Sequence, residues 1–448
     1  MKEWYQLKGQ ILKDLIHHLQ TGGEIDQTRE FFHSYTIRIP EISFINLACT
    51  LKNQTLCYFK NKDNSRQFLG IGITALFQYD NDFDNIQELL EENPALVFLG
   101  GQSFFNEPKI AYEWEDFGER FVFLPQVLAK CENQEYTFTF FYSDEILSSI
   151  EAQSRFIFQV EDILSFRPYL LENRFEFNQS LHEPGPMQWN DSVKTCTDEF
   201  REDPDFHKVV LAKKETYLSL KKINGLSLLK EMHQYADDSY CFYLQTSPHQ
   251  AFLSISPERL FTLENDKIVV DCIAGTRARG KDQDEENRLS HELLTSEKEI
   301  NEHRIVADEI FERLEYLCDQ VLTPQKVSLL KCKYVQHLFA QYSGVLQAGV
   351  SLEKIIKILH PTPAVGGRPW HLAQDYIKNL EPFQRGFYAA PVGVVTSNYT
   401  EFAVGIRSCL INNKALHIYA GAGIVPGSIG QDEWIEVHNK MKNFLQIF

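Results

Sequence analysis

At 448 residues, with 43% hydrophobic and 24% charged residues, the chain can bury a large core, and its composition fits neither a disordered segment nor a membrane protein. Its 44 basic against 62 acidic side chains leave a formal net charge of −18, which argues against gripping a nucleic-acid backbone; a small anion would need locally gathered cations, backbone donors or a metal. Nine cysteines, odd in number and never spaced as CxxC, point away from a disulfide framework or zinc cluster and toward a reducing, cytoplasmic setting.

The opening stretch MKEWYQLKGQILKDLIHHLQ is an amphipathic helix with polar residues throughout, unlike a signal peptide, and no apolar run approaches the ~20 residues of a membrane span. Tyr35 to Ile39 and Ile42 to Leu51 are predicted strands, and Cys57 to Phe59 with Phe68 to Leu76 form a hairpin whose polar tip is Asn61 to Arg66. Phe83 to Glu92 reads as a short helix, and Leu96 to Phe104 as a buried strand ending near the paired Gly100 and Gly101. Phe121 to Pro125 and Tyr136 to Tyr142 are further strands, and Asp144 to Phe166 is weakly helical. From Arg167 to Met187 periodicity is lost while Pro168, Pro184, Gly185 and Pro186 collect, so a boundary falls at Pro186 between a β-rich half, 1–186, and a second region, 187–448.

Beyond it, helices are expected at Trp189 to Glu202, Leu226 to Tyr235 and Glu297 to Cys318. Strands are expected at Val209 to Ala212, Tyr240 to Gln245, Ala251 to Ser256, Lys267 to Ala274, Val392 to Ser397 and Glu401 to Leu410. Long strands and helices alternate irregularly with hairpin-like neighbours, which gives an α+β fold with large antiparallel sheets flanked by helices. The chain ends as strand, glycine turn and helix, in Ala420 to Ser428 and Glu433 to Lys440. Helical spacing puts Glu433, Glu436 and Lys440 on one face. Two carboxylates suit Mg²⁺ with an anionic substrate completing its shell, and Gly421 and Gly423 admit close approach of backbone N–H groups to an anion; a solvated helix face fits the same spacing.

Other features carry two readings each. Lys208 is an exposed lysine at a strand start, or a buried one whose lowered pKa suits a base. Glu258 is a turn carboxylate, or an acid whose pKa is raised beside an apolar wall. The turn Gly275 to Gly280, with Thr276 and two arginines, suits an anion, or is a basic hairpin tip. Glu302 is a third carboxylate for the metal, or part of a polar helix face with Glu299. His303 lacks HExxH spacing and gives no zinc reading. Arg407 interrupts an apolar strand and meets a structural carboxylate or a substrate one. His360, beside prolines, reads as a turn histidine, and His337 stays open. No GxGxxG fingerprint or Walker motif occurs.

Taken in order, KVVLAK at Lys208, SPERLF at Glu258, AGTRARG from Ala274, the pair Glu302-His303, HPTPAVGG from His360, GIRS at Arg407, and AGAGIVPGS with EWxE resemble the chorismate-utilising enzymes. GGQSFF at Gly100, Trp114 and FLP at Phe123 are similar to the menaquinone-type isochorismate synthases. The resemblance implies a Mg²⁺-dependent isomerase of the chorismate-binding fold that adds water at C2 of chorismate with loss of the C4 hydroxyl. It makes Lys208 the base and Glu258 the acid. Glu302, Glu433 and Glu436 are the implied magnesium ligands, and Gly275, Thr276, His303, Arg407, Gly421, Gly423 and Lys440 the implied substrate contacts. Lys208 and Ala274 occupy positions that in the family separate water-adding members from those using ammonia or a nucleophilic lysine. The implied partner is chorismate alone, with no nucleic acid, membrane or glutamine amidotransferase subunit, and a monomer is expected. Departures from the family pattern are Lys213, Ala390, Val394 with Val395, Gly430 to Asp432, and Val437. A salicylate synthase, which eliminates pyruvate from isochorismate, and a silent anion-binding protein on the same fold are the competing expectations.

Overall fold

Runs of alternating and continuous apolar residues pair into two large antiparallel sheets in the computed structural model, which describes residues 2–21, 31–51, 54–107, 109–165, 176–234, 238–324, 326–331 and 335–445. The larger sheet runs Phe32–Arg38, Glu135–Ser143, Val127–Glu132, Arg66–Ile71, Leu56–Lys60, Tyr240–Ser247, Gln250–Ser256, Ser408–Asn412, Ala415–Ile424, Lys208–Ser219 and Gly367–Arg368, with Phe177–Glu183 also paired to Lys208–Ser219. The smaller runs Cys318–Leu322, Val335–Leu346, Lys267–Ala278, Arg259–Glu264, Tyr399–Val404, Pro391–Val395, Phe98–Gln102, Arg120–Leu124 and Ala75–Phe77, with Ser328–Lys331 paired to Val335–Leu346. Strands from both sides of Pro186 share each sheet, so the two halves of the chain interleave. Pro186 itself is the first residue of helix Pro186–Glu202, where its missing N–H costs no helical bond.

One apolar cluster contains side chains of both sheets, among them Tyr58, Phe59, Phe252, Phe261, Val392 and Phe402. Trp114, 1% exposed, packs against Phe117, Phe252, Phe387 and Tyr419 with centroid separations of 5.5, 5.9, 6.1 and 6.0 Å. Its indole lies against Gly386, whose φ is +53° and where a Cβ would come within 2.1 Å of the ring, so a glycine is required there. Helix Glu297–Leu317 packs on Lys267–Ala278 and Val335–Leu346, and Gly430–Leu445 packs on Ala415–Ile424 and on Pro186–Glu202.

Several expected elements change. Ile42 to Leu51 is not a strand: Ser43 Oγ accepts the Asn46 N–H (3.3 Å) and caps helix Phe44–Ala48, which buries Phe44, Ile45, Leu47 and Ala48. A short apolar run does not separate strand from helix by period. The aperiodic stretch before Pro186 contains strand Phe177–Glu183, while 166–175 lies outside the described residues. Gly275 to Ala278 is no turn but the continuation of strand Lys267–Ala278, with a register shift between Ala274 and Thr276 where Gly275 adopts φ +77°. Glu401 to Leu410 divides into Tyr399–Val404 and Ser408–Asn412, which belong to different sheets.

Candidate active site

Two short crossovers between the sheets position the central groups. Gln250–Ser256 lies in the larger sheet and Arg259–Glu264 in the smaller, so Pro257 and Glu258 pass between them; Gly405 to Arg407 make a second passage. The crossovers run side by side, since Val404 N–H donates to Glu258 O (3.1 Å), Ile255 N–H to Arg407 O (3.1 Å), and Ser254 Oγ to Ile406 O (2.7 Å). Arg407 has φ +47°, a left-handed conformation that a residue with a Cβ keeps only where its surroundings hold it, as these bonds do.

Glu258 is 5% exposed; its N–H donates to Ser256 Oγ (3.1 Å), and Thr362 Oγ1 donates to Oε1 at a long 3.4 Å. Burial pushes its carboxyl up to about 7, against the pull of Lys62, Thr362 and Lys208. It is therefore an acid that keeps its proton close to neutral pH.

Lys208 opens strand Lys208–Ser219, is 1% exposed, and donates from Nζ to Glu302 Oε1 at 2.9 Å. Glu302 and His303 come from helix Glu297–Leu317. Across the ladder, Gly423 pairs with Val210, and a Cβ on it would lie 2.8 Å from Lys208 Cε and 3.1 Å from Glu302 Oε1; the absent side chain makes room for that ion pair. His303 is buried beside Cys272, whose Sγ lies 3.8 Å from Nε2, and burial lowers its pKa, so its imidazole is neutral near pH 7.

On the opposite sheet Thr276 Oγ1 and His337 Nδ1 are 2.9 Å apart, and Arg407 Nη2 sits 3.3 Å from His337 Nε2. Burial, with Arg407 and Lys440 adding repulsion, lowers the His337 pKa to about 3, so the ring is neutral at physiological pH. Arginine is only a donor, so Nε2 accepts and Nδ1 carries the proton, which it donates to Thr276 Oγ1. The Thr276 hydroxyl hydrogen is then free to point at a substrate oxygen. Gly275 lies against Glu299, whose Oε2 accepts the Thr276 N–H at 3.1 Å.

Helix Gly430–Leu445 carries the remaining groups. Lys440 Nζ donates to Glu436 Oε1 (2.7 Å) and Gly421 O (2.9 Å), tying the helix to strand Ala415–Ile424. A Cβ on Gly421 would meet Tyr388 Oη at 2.9 Å. Glu433 is 4% exposed and accepts from Ser428 Oγ (2.8 Å); burial raises its carboxyl pKa, with Glu436 and Glu302 adding repulsion. Glu436 is lowered, chiefly by Lys440.

Three mutually repelling carboxylates of hard oxygen donors fit a magnesium ion by their chemistry. Among the described residues no three His, Cys, Asp or Glu side chains converge on a common metal position as they stand. Glu302, Glu433 and Glu436 are instead drawn to Lys208, Ser428 and Lys440.

Sequence reasoning left His337 open, treated Glu299 as part of a helix face, and passed over Lys62, Asp271 and Tyr388. Asp271 had a signal: it interrupts the apolar run Ile268 to Ile273. Lys62 had none, since a hairpin tip of Asn, Lys, Asp and Ser reads as a solvated turn.

Residues 17–448 match the family described as chorismate binding enzyme. The chain is 32% identical to "Isochorismate synthase, chloroplastic" of Catharanthus roseus over 391 residues, 84% of this chain and 67% of that one. It is 28% identical to "Isochorismate synthase MenF" of Bacillus subtilis (strain 168) over 459 residues, 96% of each chain. Among solved structures, that of MenF, the menaquinone-specific isochorismate synthase from Escherichia coli, superposes with a TM-score of 0.85 over 97% of this chain and 98% of that one at 22% identity. Anthranilate synthase component I from Streptococcus pneumoniae TIGR4 gives 0.67 over 91% and 94% at 20% identity. These two likenesses are of fold.

Proposed function

The chain belongs to the chorismate-binding enzyme family, and from that premise we infer that it is an isochorismate synthase, an isomerase that adds water at C2 of chorismate with loss of the C4 hydroxyl. The observation that carries this reading is the match to isochorismate synthases over nearly the whole chain, 96% in the case of the Bacillus subtilis relative. Its full-length likeness to MenF supports a role in menaquinone formation. Among the described residues no helix is long and apolar enough to cross a membrane.

In this reading Lys208 acts as the neutral amine, taking a proton from the water that attacks C2 and becoming an ammonium beside Glu302, while the ring double bonds shift and the C4–O bond breaks. Glu258 gives its proton to the departing hydroxyl, which leaves as water, so one water enters and one leaves. A carboxyl raised to about 7 holds that proton at neutral pH, which a surface glutamate of ordinary pKa does not. Arg407, Lys440 and the Thr276 hydroxyl meet the anionic groups of the substrate, and the glycines at 275, 421 and 423 keep the wall free of side chains. Magnesium, when held by Glu302, Glu433 and Glu436, would supply positive charge to the ring carboxylate.

Purified protein given chorismate and Mg²⁺ without ammonia should release isochorismate. Salicylate with pyruvate as the main product would assign the chain to the pyruvate-eliminating branch, and unchanged chorismate would overturn the reading.

A further inference from the structure

At the polar tip of the amino-terminal hairpin Asp63 and Asn64 face solvent while Asn61 is buried. Asn61 Nδ2 donates to Ser65 Oγ (2.9 Å), Ser65 N–H to Asp63 Oδ1 (3.0 Å), and Arg66 N–H to Asn61 Oδ1 (3.0 Å), so the turn satisfies its own polar groups. Lys62 is left to reach across to the smaller sheet, where Nζ donates to Asp271 Oδ2 at 2.7 Å, with the lysine side chain 18% exposed and the aspartate 1%. Asp271 also accepts from Arg259 Nη1 (3.3 Å) and Gln341 Nε2 (3.2 Å), and Arg259 is the residue directly after Glu258. The Lys62 ammonium lies 5.5 Å from the Tyr240 ring centroid and 6.0 Å from that of Phe339. A half-buried cation from the other half of the chain thus sits in one network with the crossover that carries the acid.

We propose that Lys62, through Asp271 and Arg259, is a positioning residue for the crossover that carries Glu258 and so governs the pH profile of turnover. The inference rests on the isochorismate synthase reading above. The charged and titratable groups around Glu258 are Lys62 on the hairpin, Asp271 and Cys272 on strand Lys267–Ala278, Lys208 on strand Lys208–Ser219, and Tyr388. After burial, which raises the Glu258 carboxyl, the strongest opposing influence among them is Lys62, while Asp271 pushes the same way as burial. Removing Lys62 therefore raises the Glu258 pKa, and removing the Asp271 charge lowers it.

The test is the pH dependence of kcat for chorismate in the intact protein. Because the acid must be protonated, kcat falls as pH rises through its pKa, and Lys62→Met should move that alkaline limb to higher pH. Asp271→Asn should move it to lower pH, Lys62→Arg should restore the wild-type position, and the double variant should lie between the singles. A purely structural role would lower kcat or stability without moving the limb, or would move it the same way in both singles; either result overturns the proposal. If Lys62→Met does not fold, Lys62→Gln, which also removes the charge, decides by the same upward shift of the limb. A wild-type protein that forms no isochorismate would instead count against the reading on which the inference rests.

Discussion

Glu258 shows how burial gives a common side chain an uncommon property. Its carboxyl is pushed up to about 7 in the folded chain, whereas in the unfolded chain it titrates near the ordinary value of about 4.3. Between those values the folded state binds more protons than the unfolded state, so this group makes stability fall as pH rises from about 4 to about 7. Glu258→Gln keeps the shape and removes the titration. Its thermal midpoint should therefore gain on wild type as pH rises through that window, while turnover falls by about 10²- to 10⁴-fold. Calorimetry at a series of pH values checks the first expectation and steady-state kinetics the second; a midpoint difference independent of pH would contradict the burial argument. Lys208→Ala should abolish water addition with the fold retained, read by circular dichroism beside a product assay.

The candidate site residues were legible in the sequence through the family motifs that carry them, KVVLAK at Lys208, SPERLF at Glu258 and GIRS at Arg407. The hydrogen-bond partners were not, because they come from segments far away in the chain: Thr276 meets His337, and Lys62 meets Asp271.

At the scale of elements, chain continuity misled where the two sheets exchange strands. Apolar composition continues through Glu401 to Leu410, yet Gly405 and the left-handed Arg407 break the run so that the chain can pass from one sheet to the other. Gly275 likewise reads as a turn glycine, while its positive φ makes a bulge within a strand and lets Thr276 turn toward His337. The strand and helix at the carboxyl-terminal end, Ala415–Ile424 and Gly430–Leu445, follow from clean periods with Gly421 and Gly423 on the strand. Gly423 gives that strand a specific test. Gly423→Ala brings a methyl within 2.8 Å of Lys208 Cε, so kcat should fall by at least tenfold while the thermal midpoint changes little, since Lys208 is a flexible side chain and gives way. An alanine variant with wild-type kcat would show that the Lys208–Glu302 pair tolerates displacement.

Among the departures from the family pattern, Lys213, Ala390, Val394 and Val437 are met by packing, whereas Gln431 and Asp432 are exposed. Lys213 is fully buried, pairs with Glu215 and lies 3.8 Å from the Trp434 ring centroid. Ala390, Val394 and Val437 are fully buried in the apolar core.

For the whole molecule, the α+β class and the large antiparallel sheets follow from strand patterning and hairpin-like spacing. The interleaving of both halves in each sheet does not, because long-range strand order is not written in local period. Trp114 shows the coupling: it comes from the amino-terminal half and packs on Phe252, Phe387 and Tyr419 of the other. Trp114→Ala should cost about 3–5 kcal/mol and lower cooperativity across both sheets, visible as a reduced denaturation midpoint. A midpoint within error of wild type would contradict a shared core.

The central claim is that solvent water becomes the new hydroxyl at C2 while the old one leaves from C4. An early-time reaction of wild-type protein with chorismate and Mg²⁺ in oxygen-18 water measures this directly. The account predicts isochorismate heavier by one oxygen-18, with the label located at C2 by carbon NMR. Isochorismate carrying only the original oxygen would contradict water addition and with it the roles given to Lys208 and Glu258.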